Sequence, residues 1–414
     1  MKDVKSKSQP VTKAMVWKAW LSLRSNGDSA GVDGVSLQAF EANLSDNLYK
    51  LWNRMASGSY FPAPVKRVFI PKADGRSRPL GIPTIADRVA QKVVKDYLEP
   101  KLESVFSPNS FGYRPGRSAH QALEKARQMC RRYEWVIDLD IKGFFDTLDH
   151  ALLMKAVRKH TQEKWVLMYI ERWLQAPVQT PEGELEPSRQ GSPQGGVISP
   201  LLANLFLHYA FDRWMEIHHP SVEFERYADD IVVHCATKEE AEHLLKQIRQ
   251  RLAQVKLSLH PEKTKVVYCK NGKRLQNHDQ ISFDFLGFSF RPRKSKNRKG
   301  ELFLGFDLGI SNKAKKRIRA ALRGLRLHRR TRSSLEDLAA LLNPKLSGWS
   351  SYYGKFRPYL LDVLWEEVDE HLLKWVRKRY KRFKGSTRRS RAWLKQVYQE
   401  DRTLFAHWQL GTGP

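Results

Sequence analysis

Tyr227-Ala228-Asp229-Asp230 stands between Phe224-Glu225-Arg226 and Ile231-Val232-Val233. Residues suited to a pleated strand flank the two acids, so 222–234 reads as two short strands with a turn near Ala228. Such a turn holds Asp229 and Asp230 near one point. Two carboxylates held close repel each other unless a cation sits between them. Taken alone, an Asp-Asp pair is an ordinary solvated turn, because Asp bonds readily to its own local backbone. The neighbourhood along the chain gives it more meaning.

About 90 residues earlier, Trp135-Val136-Ile137-Asp138-Leu139-Asp140-Ile141-Lys142 alternates with period two. Trp135, Ile137, Leu139 and Ile141 form one face, and Val136, Asp138, Asp140 and Lys142 the other. That is a strand with an apolar face toward a core and an acid-bearing face. Magnesium takes oxygen ligands and keeps several waters, so one or two carboxylates per ion suffice. Phosphoryl transfer with two ions about 4 Å apart needs a bridging acid and at least one more. On geometry alone either Asp138 or Asp140 can join the Asp229-Asp230 pair.

Charge narrows the partner. The chain has 414 residues, with 73 Lys and Arg against 44 Asp and Glu, a net charge of +29. Such an excess repels itself unless a polyanion is the usual partner, and nucleic acid is the leading class. A membrane surface is the rival. Neither a lipidation signal nor a signal peptide appears over 1–10. The weakly polar stretch 195–211 contains Ser199, Pro200, Asn204 and His208 and reads as a buried helix, not a membrane span. Cys130, Cys235 and Cys269 make neither a disulfide framework nor a zinc knuckle and fit a reducing, cytoplasmic compartment.

The length allows two or three domains. Helical spacing recurs at Val16, Trp17, Trp20 and Leu21 and at Leu44, Leu48, Leu51 and Trp52, so 12–60 reads as helical around a loop over 27–34. Residues 64–83 read as a hairpin turning at Asp74-Gly75, followed by a helix over 84–105. Further on, helices are expected over 198–217 and 238–255 and strands over 264–269 and 281–290. Between 291 and 332 there are 16 Lys or Arg and only 2 acids. Ser334 caps a helix that Asn343-Pro344 is expected to stop at Leu342, and a longer helix is expected over 360–383.

Several blocks, in order, resemble group II intron reverse transcriptases, also called maturases, and the resemblance covers nearly the whole chain. They are Ala30-Gly31-Val32-Asp33-Gly34, Ile70-Pro71-Lys72, Arg78-Pro79-Leu80-Gly81-Ile82-Pro83, and Phe111-Gly112-Tyr113-Arg114-Pro115-Gly116-Arg117-Ser118. Asp140-Ile141-Lys142-Gly143-Phe144-Phe145-Asp146, Gly191-Ser192-Pro193-Gln194-Gly195-Gly196, Tyr227-Ala228-Asp229-Asp230, Phe285-Leu286-Gly287-Phe288 and Gly348-Trp349-Ser350-Ser351-Tyr352-Tyr353 follow. The resemblance implies an α+β right-hand polymerase, with fingers and an antiparallel palm sheet, followed by an α-helical thumb or maturase domain. It implies an N-terminal extension over 1–60, fingers and palm over 61–305, and a basic thumb/maturase domain over 306–414.

In reverse transcriptases a bulky residue that screens the sugar lies five positions after the catalytic Asp. Phe145 lies five after Asp140, so the resemblance selects Asp140 and leaves Asp138 as a supporting acid. It further implies two Mg²⁺ ions on Asp140, Asp229, Asp230 and the Ile141 carbonyl. Lys72, Arg78, Phe144, Phe145 and Gln194 would meet the dNTP, Arg114 and Arg117 the template, and Leu286 and Gly287 the primer. The implied partners are an RNA template with a DNA or RNA primer, dNTPs and the parent intron RNA. The chain lacks a Cys/His cluster and ends at Pro414, so it resembles the compact class without an endonuclease. The rivals are a host-domesticated reverse transcriptase (defence, CRISPR-associated or repair) without a splicing role, a non-catalytic RNA-binding maturase, and an RNA-templated RNA polymerase.

Overall fold

The computed structural model describes residues 9–24, 29–71, 77–296 and 299–414. The Asp74-Gly75 turn, Lys72 and the first part of the 27–34 loop lie outside the described residues. The chain divides into two compact units, Met1–Ala122 with Ile137–Val266, and Leu123–Val136 with Val267–Pro414.

The strands, in chain order, are β1 (Val65–Pro71), β2 (Ser77–Ile82), β3 (Trp135–Asp140), β4 (Val178–Gln179), β5 (Leu185–Glu186), β6 (Phe224–Tyr227), β7 (Asp230–Cys235), β8 (Lys265–Tyr268), β9 (Phe283–Phe285), β10 (Phe288–Lys296) and β11 (Leu302–Ile310). In the first unit β2-β1-β4-β5 form one sheet, with β1 and β2 antiparallel from Lys66 opposite Ile82 to Pro71 opposite Ser77. The sheet that carries the acids has the order β6-β7-β3-β8, and the division between units falls inside β3 and inside β8. Its apolar residues Ile137, Leu139, Val232 and Val233 are almost wholly buried, as the alternation in β3 requires.

Helices begin where a short polar side chain can take up an orphan backbone N–H. Thr12, Thr84, Asp149, Thr237 and Ser334 each accept from the residue three further on. The helices expected over 84–105 and 238–255 run Ile85–Glu103 and Lys238–Gln254. The one expected over 198–217 is interrupted. Ser199–Leu207 and Arg213–His218 are α-helical, and a π turn, His208–Asp212, joins them. The wider turn frees carbonyls, and Arg251 donates to those of Tyr209 (2.9 Å) and Ala210 (3.0 Å).

In the second unit two expectations are corrected. The strand expected over 281–290 is broken, because Leu286 and Gly287 adopt φ of 50° and 80° and reverse the chain between β9 and β10. The helix expected to stop at Leu342 continues through Pro344 to Tyr353. Proline removes one helical bond there, but tertiary contacts outweigh that loss. Leu342 and Leu346 are fully buried, and the Asn343 side chain donates to the Leu404 carbonyl and accepts from the Ala406 N–H, both at 2.9 Å. The core around them includes Ile318, Leu322, Leu338, Trp365 and Trp375.

Asp307, on β11, is clamped by two arginines of its own unit, Arg127 at 2.9 Å and Arg357 at 2.7 Å. Burial alone would raise the pKa of its carboxyl. The bonds from Arg357 and Arg127 outweigh burial and hold the pKa below the usual carboxylate range. A depressed folded-state pKa gives stability above the unfolded value near ~3.9 that is lost as pH falls through the folded one. Asp307→Asn is expected to lower the stability of this unit at pH 7 by about 3 kcal/mol. In thermal melts the gap between variant and wild type should narrow as the pH is taken down to about 3.

Candidate active site

The acids come together because of one turn. β6 and β7 pair antiparallel from Phe224 opposite Val233 to Tyr227 opposite Asp230, which leaves Ala228 and Asp229 as the turn. Ala228 adopts φ of 56°, a left-handed conformation that Gly or Asn takes more readily. Gly112 lies against this turn, and a Cβ on it would fall 2.5 Å from the Ala228 nitrogen.

Asp140 ends β3, the neighbour of β7 in the sheet. A loop of the same unit fixes it from three sides. Its N–H donates to Thr264 Oγ1 (3.4 Å), its carbonyl accepts from His260 N–H (2.7 Å), and its Oδ2 is 2.9 Å from Lys263 Nζ. Ile141, next in the chain, is buried and bridges Leu259. Lys263 was not singled out from the sequence. Its only signal was a basic residue just before an expected strand, and such residues are usually solvated.

Electrostatics join the three acids. Burial raises the pKa of Asp229, and the charge of Asp140 raises it further. Asp230 presents surface to solvent, yet protein crowds its carboxyl group. That crowding, then the charges of Asp229 and Asp140, push its pKa up to about 7. Lys263 and Arg78 pull both values back down. Asp138 is half-buried on the same face of β3.

Phe144 and Phe145 do not lie on a strand. They open a short helix, Phe144–Thr147, which turns Phe144 into the core and leaves Phe145 half-buried. Phe145 borders a cavity of about 310 Å³ with Leu80, Gly81, Gly191 and Gln194. Two glycines permit the close approach. Gly191 has φ of 87°, and a Cβ there would meet the Phe145 carbonyl at 2.9 Å. Gly195 has φ of 122°, and its Cβ would fall 2.3 Å from the Gly81 carbonyl. The Gly81 N–H donates to the Gln194 carbonyl at 2.7 Å, so the two motifs interlock. Arg78 is exposed on β2.

The two arginines expected at the template part ways. Arg117 is exposed, with its guanidinium 5.7 Å from the Phe111 ring. Arg114 is buried, and its donors go to the Glu103 carboxylate and to the carbonyls of Ser107 (2.6 Å) and Ser110 (2.7 Å). As placed, it braces the loop. Leu286 and Gly287 belong to the second unit. There the Leu286 carbonyl accepts from the Tyr352 hydroxyl at 2.9 Å, and Phe288 packs on Tyr352, Tyr353 and Phe356.

Three carboxylates, two of them with pKa values raised by burial and then by mutual charge, make a donor set suited to a hard divalent cation. Among the described residues no three His, Cys, Asp or Glu side chains close a cage around a metal ion. Magnesium does not need one, since it binds through one or two carboxylates together with substrate phosphates and water.

The family of reverse transcriptases (RNA-dependent DNA polymerases) matches residues 70–290, more than half of the chain. The chain belongs to the reverse transcriptase family. A second match, the group II intron maturase-specific domain, covers residues 315–397. Protein YkfC of Escherichia coli K12 is 34% identical over 69% of this reverse transcriptase and 81% of its own length. The group II intron-encoded protein LtrA of Lactococcus lactis is 31% identical over 62% of this chain, which spans 42% of LtrA. A putative COX1/OXI3 intron 1 protein of Saccharomyces cerevisiae is 30% identical over 44% of this chain and 22% of its own length. In the reverse transcriptase described here no helix among the described residues is long and apolar enough to cross a membrane.

Gly195→Ala is expected to separate the Gln194 segment from β2, because both the positive φ and the space forbid a Cβ. In steady-state primer extension, KM for the dNTP should rise about 10-fold or more, while Tm falls by only a few degrees.

Proposed function

We propose that the chain copies RNA into cDNA with Asp140, Asp229 and Asp230 as its metal-binding carboxylates, and that its maturase-matching region binds the parent group II intron RNA and assists splicing. The observation that carries the first part is the placement of Asp140 at the end of β3, beside β7, whose hairpin with β6 carries Asp229 and Asp230. Carboxylates held together against their own repulsion are poised for cations. Two Mg²⁺ ions bound there, with the Ile141 carbonyl as a further ligand, would lower the pKa of a primer 3′-hydroxyl and neutralise the leaving phosphates.

The chain's own residues do the rest. Phe145 sits under the sugar of the incoming nucleotide, where a 2′-hydroxyl would meet its ring, and Phe144 backs it from the core. Gln194 orients the nucleotide beside Phe145. Arg78, whose charge already reaches the acids, takes the triphosphate. Lys72 shares that role by resemblance. Arg117 faces the template, and the Leu286-Gly287 turn supports the primer. This arrangement is that of a right-hand polymerase. The functional division is an extension over 1–60, fingers and palm over 61–305, and thumb/maturase over 306–414.

The RNA-binding part rests on a cleft of about 990 Å³ in the second unit, lined by Arg323, Arg326, Arg329, His371, Lys374 and Arg377 among others. No Asp, Glu, Phe, Tyr or Trp is among the described residues that line it. Its lining of cations therefore suits a phosphate backbone. The cytoplasm, where a nascent transcript is at hand, is the proposed compartment.

Primer extension on an RNA template with dNTPs and Mg²⁺ tests the polymerase. Asp229→Ala is expected to abolish synthesis, and Asp138→Ala to reduce it only; the opposite order would remove Asp140 from the metal set. Phe145→Ala should raise NTP incorporation about 10-fold or more. For splicing, the protein should lower the Mg²⁺ concentration that its own intron needs, and replacing Arg326, Lys374 and Arg377 together by Ala should remove that effect.

A further inference from the structure

Arg226 precedes the acidic turn and is fully buried, which is rare for an arginine. Its Nε and Nη2 hold the two carboxylate oxygens of Asp212 at 2.7 and 2.6 Å, and Asp212 is equally buried. The remaining nitrogen, Nη1, donates to Asn204 Oδ1 (2.9 Å) and to the carbonyl of Ala228 (3.1 Å). Asn204 in turn donates to the Gly112 carbonyl at 2.7 Å, and Gly112 is the residue whose backbone lies against Ala228. The backbone of Arg226 is pinned as well. Its N–H donates to the Asn109 carbonyl, and its carbonyl accepts from the Phe111 N–H. Asp212 is itself the last residue of the π turn in the helix below.

We infer that Arg226 is the positioning residue of the catalytic turn: charge-balanced by Asp212, it holds the Ala228 carbonyl so that a non-glycine residue stays left-handed and Asp229 and Asp230 stay beside Asp140. This rests on the proposed role of those carboxylates. Without the hold, repulsion among three acids and the unfavourable φ of Ala228 both drive the turn open. Arginine is suited to the task and lysine is not. A planar fork can fill both carboxylate oxygens and still present a third edge, whereas an ammonium offers its donors from one point. A role in folding alone would need the ion pair but not the third edge.

The 414-residue chain is compared as wild type, Arg226→Lys, Asn204→Ala and Leu394→Ala, the last a buried helical residue of the second unit, remote in sequence from the turn. Mn²⁺ binding is followed by electron paramagnetic resonance without substrate, and primer extension by its kcat, its dNTP KM and its half-saturating Mg²⁺. Arg226→Lys is expected to weaken Mn²⁺ binding about 5-fold, raise half-saturating Mg²⁺ similarly and cut kcat about 30-fold, with KM for dNTP within about 2-fold. Asn204→Ala keeps the ion pair and should shift the same quantities in the same direction, about 3-fold. Leu394→Ala should lower Tm and leave both readouts unchanged per folded molecule. The inference is overturned if Arg226→Lys folds and binds Mn²⁺ as wild type does, or if its losses only follow the folded fraction, as for Leu394→Ala. If Arg226→Lys does not fold, wild-type Mn²⁺ affinity in Asn204→Ala overturns it. A wild-type protein that binds Mn²⁺ but makes no cDNA would remove the polymerase assignment and leave the positioning role to the binding data.

Discussion

Three carboxylates near one point are the constraint from which the first unit is built. Their repulsion favours any motion that separates them, so each must be tied down by something stiffer than its own side chain. Asp140 is held at the end of a buried strand by the His260–Thr264 loop. Asp229 and Asp230 are held by a two-residue turn braced from below. Lys263 and Arg78 return part of the charge from above. The folded protein keeps an electrostatic tension in place, and rigid backbone carries it.

The glycines of the family blocks follow from this. Gly81, Gly112, Gly191 and Gly195 do not share one job as flexible joints. Each sits where one block must lie backbone to backbone against another: Gly112 on Ala228, Gly191 on the Phe145 carbonyl, Gly195 on the Gly81 carbonyl. The blocks are far apart in sequence and adjacent in space. A side chain at any of these points would wedge two of them apart.

Much of this was legible beforehand. Period-two alternation placed β3 and its acid face, and the Asp-Asp pair between β-forming residues placed the hairpin. What escaped had a physical cause. The π turn at His208–Asp212 has no residue signature; its Tyr209 and Ala210 carbonyls are taken by Arg251, 42 and 41 positions on. Pro344 was a sound stop signal locally, but buried leucines and the bonds of Asn343 overrode it. Phe144 and Phe145 look like strand residues, yet a left-handed Gly143 turns them into a helix. Arg114 was expected at the template and Arg226 was read only as a strand residue beside the acids, because sequence alone cannot show an arginine where its carboxylate partner will be. Family resemblance, not spacing, separated Asp140 from Asp138.

The Leu286-Gly287 turn and the helix carrying Gly348–Tyr353 are one piece of the second unit, joined by the Tyr352 hydroxyl and by the rings around Phe288. Selection on either block therefore acts on both. If the turn supports the primer as proposed, a lineage that stopped splicing could not let this helix drift freely while it went on copying RNA. Its aromatic residues should thus outlast the loss of the intron.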